Sequence, residues 1–192
     1  MQAEELLFLI SNGDNTAFKQ LYELFKARVY NTCLSHLQHI GEAEEATQDV
    51  FVEIHKSAGE FKGNSAVSTW VYRITVNKCV DRIRYRNRQK RFAIVTSIFS
   101  KETGALLHNP VEFNHPGVVY ENREKAAKLF AAIRQLPENQ QSAFILKQVE
   151  GLPQREIAGI LNMSEKAIES LLQRAKANLR KILGDMYNET KD

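Results

Sequence analysis

Trp70, Arg73, Asn77, Arg84 and Arg88 are separated by three, four, seven and four residues. That spacing sets them in one arc of a helix. The arc combines an indole, an amide and three guanidiniums. Guanidiniums pair with phosphate, an aromatic plane stacks on any unstacked base, and an amide can read a base edge. The set therefore suits single-stranded nucleic acid, because duplex reading alone does not call for the aromatic. Asp81 falls near the same arc, where it can pair with an arginine. Trp70 also reads as a core residue packed with Val71 and Ile74, and both readings stay open.

A second set lies near the C-terminus. In a helix starting at Glu165, Ile168, Leu171, Leu172, Ala175 and Leu179 share one side. Lys166, Ser170 and Gln173 lie opposite, flanked by Glu169, Arg174 and Arg180. An apolar back with a donor-rich front is what a major-groove recognition helix needs, and its first residues face base edges. Arg174, Lys176 and Arg180 are placed to meet phosphates. Upstream, Ile157, Ile160 and Leu161 form an apolar edge, and Ala158 is small enough for a close helix crossing. Asn162 tolerates a left-handed turn. Ser164 can cap the next helix, although Ala167 stands where a capping box has its acid. These features together predict a helix-turn-helix. The bland alternative is an ordinary amphipathic surface helix.

Metal chemistry has weaker support. Cys33, His36 and His39 can share a helix face, and metal sites use such residues. No fourth ligand is near in sequence, so Cys79 and His55 would have to approach in the fold. No phosphate-binding glycine loop, nucleophile elbow or metal-spaced carboxylate pair is present. The expectation is no catalysis, no cofactor, no small-molecule substrate and no metal.

Helices must position both sets. Phe18, Leu21, Tyr22, Phe25 and Val29 form one apolar stripe, preceded by the turn Asn12-Gly-Asp-Asn, with Asn15 or Asp14 as cap. Gly41 is read as an interruption. Ala43, Ala46, Val50 and Ile54 then repeat the stripe, while Phe51 and Val52 fall off it. Residues 61–65 read as a loop, and a third helix runs from about Ser68 to about Arg88. Periodicity weakens over 89–120, where Asn109-Pro110 and His115-Pro116-Gly117 are breakers. Residues 92–99 could hold a short helix within that linker. Helices at about 121–135 and 138–149 follow, with Pro137 in a first turn and Gly151 at a C′ position. The last helix ends near Leu183, and the polar tail from Gly184 should fray. The fold class is thus all-α: two small helical domains joined by a linker, the C-terminal one a helix-turn-helix. The boundaries expected are 1–90, a linker at 91–120, 121–185 and a tail at 186–192.

The chain has 192 residues, of which 43% are hydrophobic and 26% charged, a globular composition. The apolar run 6–10 is too short to cross a bilayer. The start Met1-Gln-Ala-Glu-Glu lacks the basic residues of a signal peptide. Two cysteines give no disulfide framework. Secretion and membrane spanning are therefore disfavoured, and a cytoplasmic protein is expected. The net charge of +3 is unevenly spread. Residues 1–60 hold 4 basic and 10 acidic side chains, residues 70–91 hold 8 and 1, and residues 123–182 hold 11 and 6. Two basic blocks beside an acidic one fit two nucleic-acid contacts and one protein contact, or else merely solvated helix faces.

Five stretches resemble the extracytoplasmic-function sigma factors of bacterial RNA polymerase. They are Glu44-Glu-Ala-Thr-Gln-Asp-Val-Phe, Phe61-Lys-Gly-Asn-Ser-Ala-Val-Ser-Thr-Trp-Val-Tyr-Arg-Ile-Thr-Val-Asn, Leu136-Pro-Glu-Asn-Gln-Gln, Glu150-Gly-Leu-Pro-Gln-Arg-Glu-Ile-Ala and Ile168-Glu-Ser-Leu-Leu-Gln-Arg-Ala-Lys. No single stretch is decisive, but their order across residues 15–90 and 121–183 is specific. The resemblance implies an N-terminal region 2 whose second helix binds the β′ clamp helices of core polymerase. Glu45, Gln48, Asp49, Phe51 and Val52 match that helix, with Phe51 either an interface anchor or a core residue. It implies that residues 62–69, with Lys62, Gly63, Asn64 and Ser68, flank a pocket taking a flipped base of the −10 element. Trp70, Arg73, Asn77, Arg84 and Arg88 then read the single strand. It implies a region 4 reading the duplex −35 element through Arg155, Ser164, Lys166, Glu169, Ser170, Gln173 and Arg174. That region also docks on the β flap, for which exposed apolar residues at 144–149 are candidates. An anti-sigma factor is an implied partner. Ala167 and Pro153 depart from the family's frequent hydroxyl residues. No self-inhibitory domain is expected ahead of region 2.

One rival is a dimeric operator-binding regulator using the same helix-turn-helix on palindromic half-sites. It leaves the N-terminal domain without a role.

Overall fold

A computed structural model describes residues 2–99 and 123–188. The first unit begins with α1 (Ala3–Ser11), whose Leu6, Leu7 and Ile10 are buried. Asp14 ends the following turn and caps α2 (Asn15–Leu37), its carboxylate accepting from the backbone N–H of Thr16 and Ala17. Leu21, Phe25 and Val29 form the buried stripe of α2. Beyond them every residue from Thr32 to Leu37 is buried, because that turn is packed from two sides.

The break after α2 is at Gln38, which takes the left-handed conformation with φ 53°. A non-glycine residue there is strained by about 1 kcal/mol. The Gln38 amide is held in place by donating to the Phe130 carbonyl at 2.8 Å. His39 then caps α3 (Ile40–Ser57), its Nδ1 accepting from the Glu42 N–H at 3.2 Å. Gly41 lies inside α3 and interrupts nothing. The left-handed Gln38 has no glycine to announce it, so the sequence pointed to the wrong residue. A single 3-10 turn, Ala58–Glu60, leads into the loop before α4.

The helix α4 runs from Val67 to Phe99, 33 residues. It does not stop near Arg88, and 92–99 continue it. No glycine or proline lies between Arg88 and Phe99 to end it. The rest of the expected linker, 100–122, lies outside the described residues. Helices α1–α4 enclose one core that includes Leu21, Val50, Ile54 and Cys79.

The second unit comprises α5 (Arg123–Ile133), α6 (Glu138–Gln148), α7 (Gln154–Leu161) and α8 (Glu165–Asn188). Pro137 and Pro153 are the residues immediately before α6 and α7, where a missing N–H costs nothing. Gly151 takes φ +71° in the connection between these helices. Asn162 adopts the left-handed turn, φ 53°, and the Ser164 hydroxyl accepts from the Ala167 N–H at 3.2 Å. Ile168, Leu171, Leu172, Ala175 and Leu179 are all buried along α8. This helix passes Gly184 and reaches Asn188, so residues 184–188 do not form the expected tail. Residues 189–192 lie outside the described residues.

The two units pack directly on each other. Tyr72 and Val76 of α4 share a core with Leu146, Ile157 and Ile160 of α6 and α7. None of the described helices is long and apolar enough to cross a membrane.

Candidate nucleic-acid interface

The basic run of α4 divides into two faces. Arg82 spans Glu45 at 2.9 Å and Asp49 at 2.6 Å on α3. Lys78 pairs with Glu53 at 2.8 Å, and Arg86 with Glu42 at 3.0 Å. Lys78 beside Glu53 holds that carboxyl below the usual range. These cations tie α4 to α3. Sequence reasoning missed the pairing, although the four-residue steps of 78, 82 and 86 mirror those of 45, 49 and 53.

The other face carries the nucleic-acid candidates. Trp70, Arg73, Asn77, Arg84 and Arg88 follow one side of α4, as the spacing requires. Trp70 is half-buried, its ring edge-on to Phe61 at 5.6 Å. The core reading therefore accounts for much of its surface. Lys62, Gly63 and Asn64 are exposed before α4, with Gly63 at φ +70°, and Ser68 is half-buried. Asn77 and Arg88 are exposed. Arg84 pairs with Asp81 at 3.8 Å, as the spacing suggested, and with Glu138 of α6 at 2.9 Å. Arg73 donates to the Gly159 carbonyl of α7 at 2.7 Å, while its Nε is buried without a partner. Arg73, Asn77 and Arg84 thus face Asn139, Ser142 and Asn162 across a cleft of about 590 Å³.

On α3, Glu45, Gln48 and Asp49 are exposed, and Val52 is 52% exposed. Phe51 is 4% exposed, tilted against Tyr22 at 4.6 Å and edge-on to Phe18 at 6.5 Å. Its off-stripe position buries it against α2, so it is a core residue and Val52 is the exposed apolar group.

In the second unit Arg155, Ser164, Lys166, Glu169, Gln173 and Arg174 are exposed, and Ser170 is half-buried. The Ser170 hydroxyl donates back to the Lys166 carbonyl at 3.0 Å. This front opposes a fully buried back, the arrangement a groove-reading helix requires. The expectation of exposed apolar residues at 144–149 fails. Phe144, Ile145 and Leu146 are buried, because α6 is enclosed by α8 on one side and α2 on the other.

The cysteine and histidine set does not converge on a metal. Among the described residues no group of three or more His, Cys, Asp and Glu could hold one. His39 is a helix cap, and His55 sits edge-on to Phe18 at 5.1 Å. Cys33 and Cys79 are buried beside each other. Their hydrogen bond, with burial, holds the Cys79 thiol well above the usual range. His36 is fully buried; its Nδ1 bonds the Thr32 carbonyl at 2.8 Å and its Nε2 has no partner. Burial pushes His36 down to about 4, since a charged ring there could not be solvated.

Beside its apolar core, the junction of the units carries polar contacts that were not legible in the sequence. Thr32 donates to Glu150 Oε1 at 3.0 Å, and the Tyr72 hydroxyl donates to Oε2 at 3.2 Å. Burial raises the Glu150 carboxyl above its ordinary value and pushes the Tyr72 phenol higher still. Gln141 of α6 donates to the His36 carbonyl at 3.3 Å.

Known proteins place these surfaces in a family. Residues 21–89 match Sigma-70 region 2, and residues 126–179 match Sigma-70 region 4. The ECF RNA polymerase sigma factor SigW of Bacillus subtilis is 27% identical over 190 residues, covering 97% of this chain and 99% of that protein. SigM of Mycobacterium tuberculosis is 29% identical over 180 residues, covering 94% of this chain and 84% of its own length. The solved structure of CnrH with the cytosolic domain of CnrY superposes with a TM-score of 0.65 at 20% identity, over 95% of this chain and 97% of that one. RpoE of Bartonella quintana, solved with the anti-sigma factor NepR, gives 0.61 at 20% identity, over 87% and 96%. At these identities the two structures bear on the fold.

Proposed function

The chain belongs to the extracytoplasmic-function group of the sigma-70 family, and from that premise we propose how its surfaces divide a sigma factor's work. As an RNA polymerase sigma factor it supplies recognition, while phosphodiester chemistry belongs to the polymerase. The α3 face with Glu45, Gln48, Asp49 and Val52 meets the β′ clamp helices. Its exposed carboxylates suit a basic partner. The loop with Lys62, Gly63, Asn64 and Ser68, together with Trp70, Arg73, Asn77, Arg84 and Arg88, reads the −10 element as a single strand. Flipping a base from the duplex costs a few kcal/mol, which stacking and hydrogen bonds at this face offset. The front of α8, with Lys166, Glu169, Ser170, Gln173 and Arg174, reads the −35 duplex together with Arg155 of α7 and Ser164 of the turn. An anti-sigma protein is a further partner, inferred from the structural neighbours solved with such proteins or with a partner domain.

One observation carries this reading. Two polar faces of different chemistry lie on separate helical units, one with an aromatic and amides and one on a helix with a buried back. A dimeric operator-binding regulator does not need the first. The test is start-site mapping on genomic fragments with core polymerase plus this chain. Asn77→Ala should weaken promoter melting with −35 duplex binding unchanged. Lys166→Ala, Ser170→Ala and Gln173→Ala should each change the −35 sequence preferred. Normal melting by Asn77→Ala removes the pocket assignment.

A further inference from the structure

We propose that Cys33 and Cys79 are an oxidation site: hydrogen peroxide entering between α2 and α3 converts the pair to a disulfide that reversibly cross-links α2 to α4. This is independent of the surfaces assigned above to polymerase and DNA.

Position carries the proposal. Cys33 comes from α2 and Cys79 from α4, and both are 0% exposed in one core. The two thiols are in hydrogen-bond contact with each other. Joining them at about 2.05 Å needs a short closing movement and no rearrangement of the helices. Cys79 lies on the side of α4 away from Asn77 and Arg88, so the bond falls in the scaffold behind the basic face.

A way in exists despite the burial. A groove of about 400 Å³ runs between α2 and α3, lined by Tyr22, Lys26 and Tyr30 of one helix and Glu44, Thr47 and Gln48 of the other. Peroxide is scarcely larger than water, whose share of liquid volume is about 30 Å³. Thr47 is half-buried in this lining and is also bonded to Cys33. One side chain therefore stands between the groove and the sulfur. The Thr47 hydroxyl proton rests on the Ala43 carbonyl at 2.7 Å, from which it can turn to a thiolate.

The two thiols are not equivalent. The bond from Cys79, and after it Thr47 and the Arg82 guanidinium, hold the Cys33 thiol below the usual range against its burial. The same bond, with burial, holds Cys79 above it. Cys33 is therefore the attacking sulfur and Cys79 the resolving one. The Cys33 thiolate attacks one peroxide oxygen and the O–O bond breaks. The departing hydroxide takes the proton that Cys33 gave up and leaves as water, and Cys33 becomes a sulfenic acid, oxidised by two electrons. Cys79 then attacks the Cys33 sulfur. The S–S bond forms, the S–O bond breaks, and the hydroxyl leaves with the Cys79 proton as a second water. One peroxide is reduced to two waters, and a dithiol restores both thiols by exchange.

The test treats the full-length chain with hydrogen peroxide, quenches with catalase, then unfolds, alkylates and maps it by mass spectrometry. The wild type should lose two hydrogens per chain, with the peptides of Cys33 and Cys79 joined within one chain and released by dithiothreitol. Cys79→Ala should gain one oxygen, on Cys33, that dimedone traps. Cys33→Ala should keep Cys79 as a free thiol. Thr47→Val should form the disulfide about tenfold more slowly, the ratio carried by one hydrogen bond to a charged group. Free thiols at both positions in the peroxide-treated wild type overturn the proposal, and so does a bond between two chains. A sulfenic acid on Cys79 in Cys33→Ala, or none on Cys33 in Cys79→Ala, overturns the assignment of attacker and resolver. An unchanged rate in Thr47→Val overturns the part given to Thr47. The wild-type measurement decides the question where an alanine variant does not fold.

Discussion

His36 makes folding sensitive to acid, and the size of the effect follows from its site. The ring lies fully buried at the end of α2, where burial lowers it from 6.5 to about 4. Its Nδ1 faces the Thr32 carbonyl, so the neutral ring carries its proton there. In the unfolded chain the ring charges once the pH falls below about 6.5. In the folded chain it resists charging until about 4. The neutral, buried ring therefore contributes stability that is intact above pH 6.5 and is lost progressively toward pH 4. At 1.36 kcal/mol per unit the full window is worth about 3 kcal/mol, and at pH 5 about 2 kcal/mol is lost. His36→Leu removes the titration and the orphaned Nε2 together. Urea unfolding at pH 8 and pH 5 should show the wild type losing about 2 kcal/mol more than His36→Leu over that interval. Comparing the two proteins cancels the shared carboxylates, including Glu150, whose raised value acts in the opposite sense. Equal losses in both proteins refute the argument and mean that His36 is solvated in the folded chain.

Two other changes test the scaffold. Ile168 is 0% exposed at the back of the recognition helix, so Ile168→Ala should cost about 2–5 kcal/mol in denaturant unfolding. Asp14 caps α2 through two backbone N–H groups, and Asp14→Ala should cost about 1 kcal/mol, read as a lower melting temperature without loss of promoter preference.

The helices were legible where periodicity met a capping residue. The buried row from Ile168 to Leu179, the Ser164 cap and the left-handed Asn162 all follow from local rules that tertiary contacts do not override. The misreadings share a different cause. Gln38 ends α2 in a conformation usually given to glycine, and its side-chain bond to Phe130, 92 residues away, helps to hold it there. Phe144 and its neighbours looked like an exposed docking strip because nothing local shows that α2 covers α6. Phe51 fell off one stripe because it serves a second contact, with Tyr22. Of the candidate site, the residue types and their arcs were visible, but which cations were already engaged was not. That depends on how α3 lies against α4, a non-local fact.

The division of the α4 cations changes how binding should respond to salt. A protein displaces condensed counterions from a nucleic acid only with charges that reach phosphate. All eight basic residues of 70–91, counted together, would give a log-log salt slope of about −5.6 on a single strand. Lys78, Arg82 and Arg86 are engaged by Glu53, Glu45, Asp49 and Glu42. The five left would give a slope no steeper than about −3.5. Those four ion pairs are themselves weakened by salt, being partly exposed. The same ions that loosen the strand therefore also loosen the helix pair that presents it.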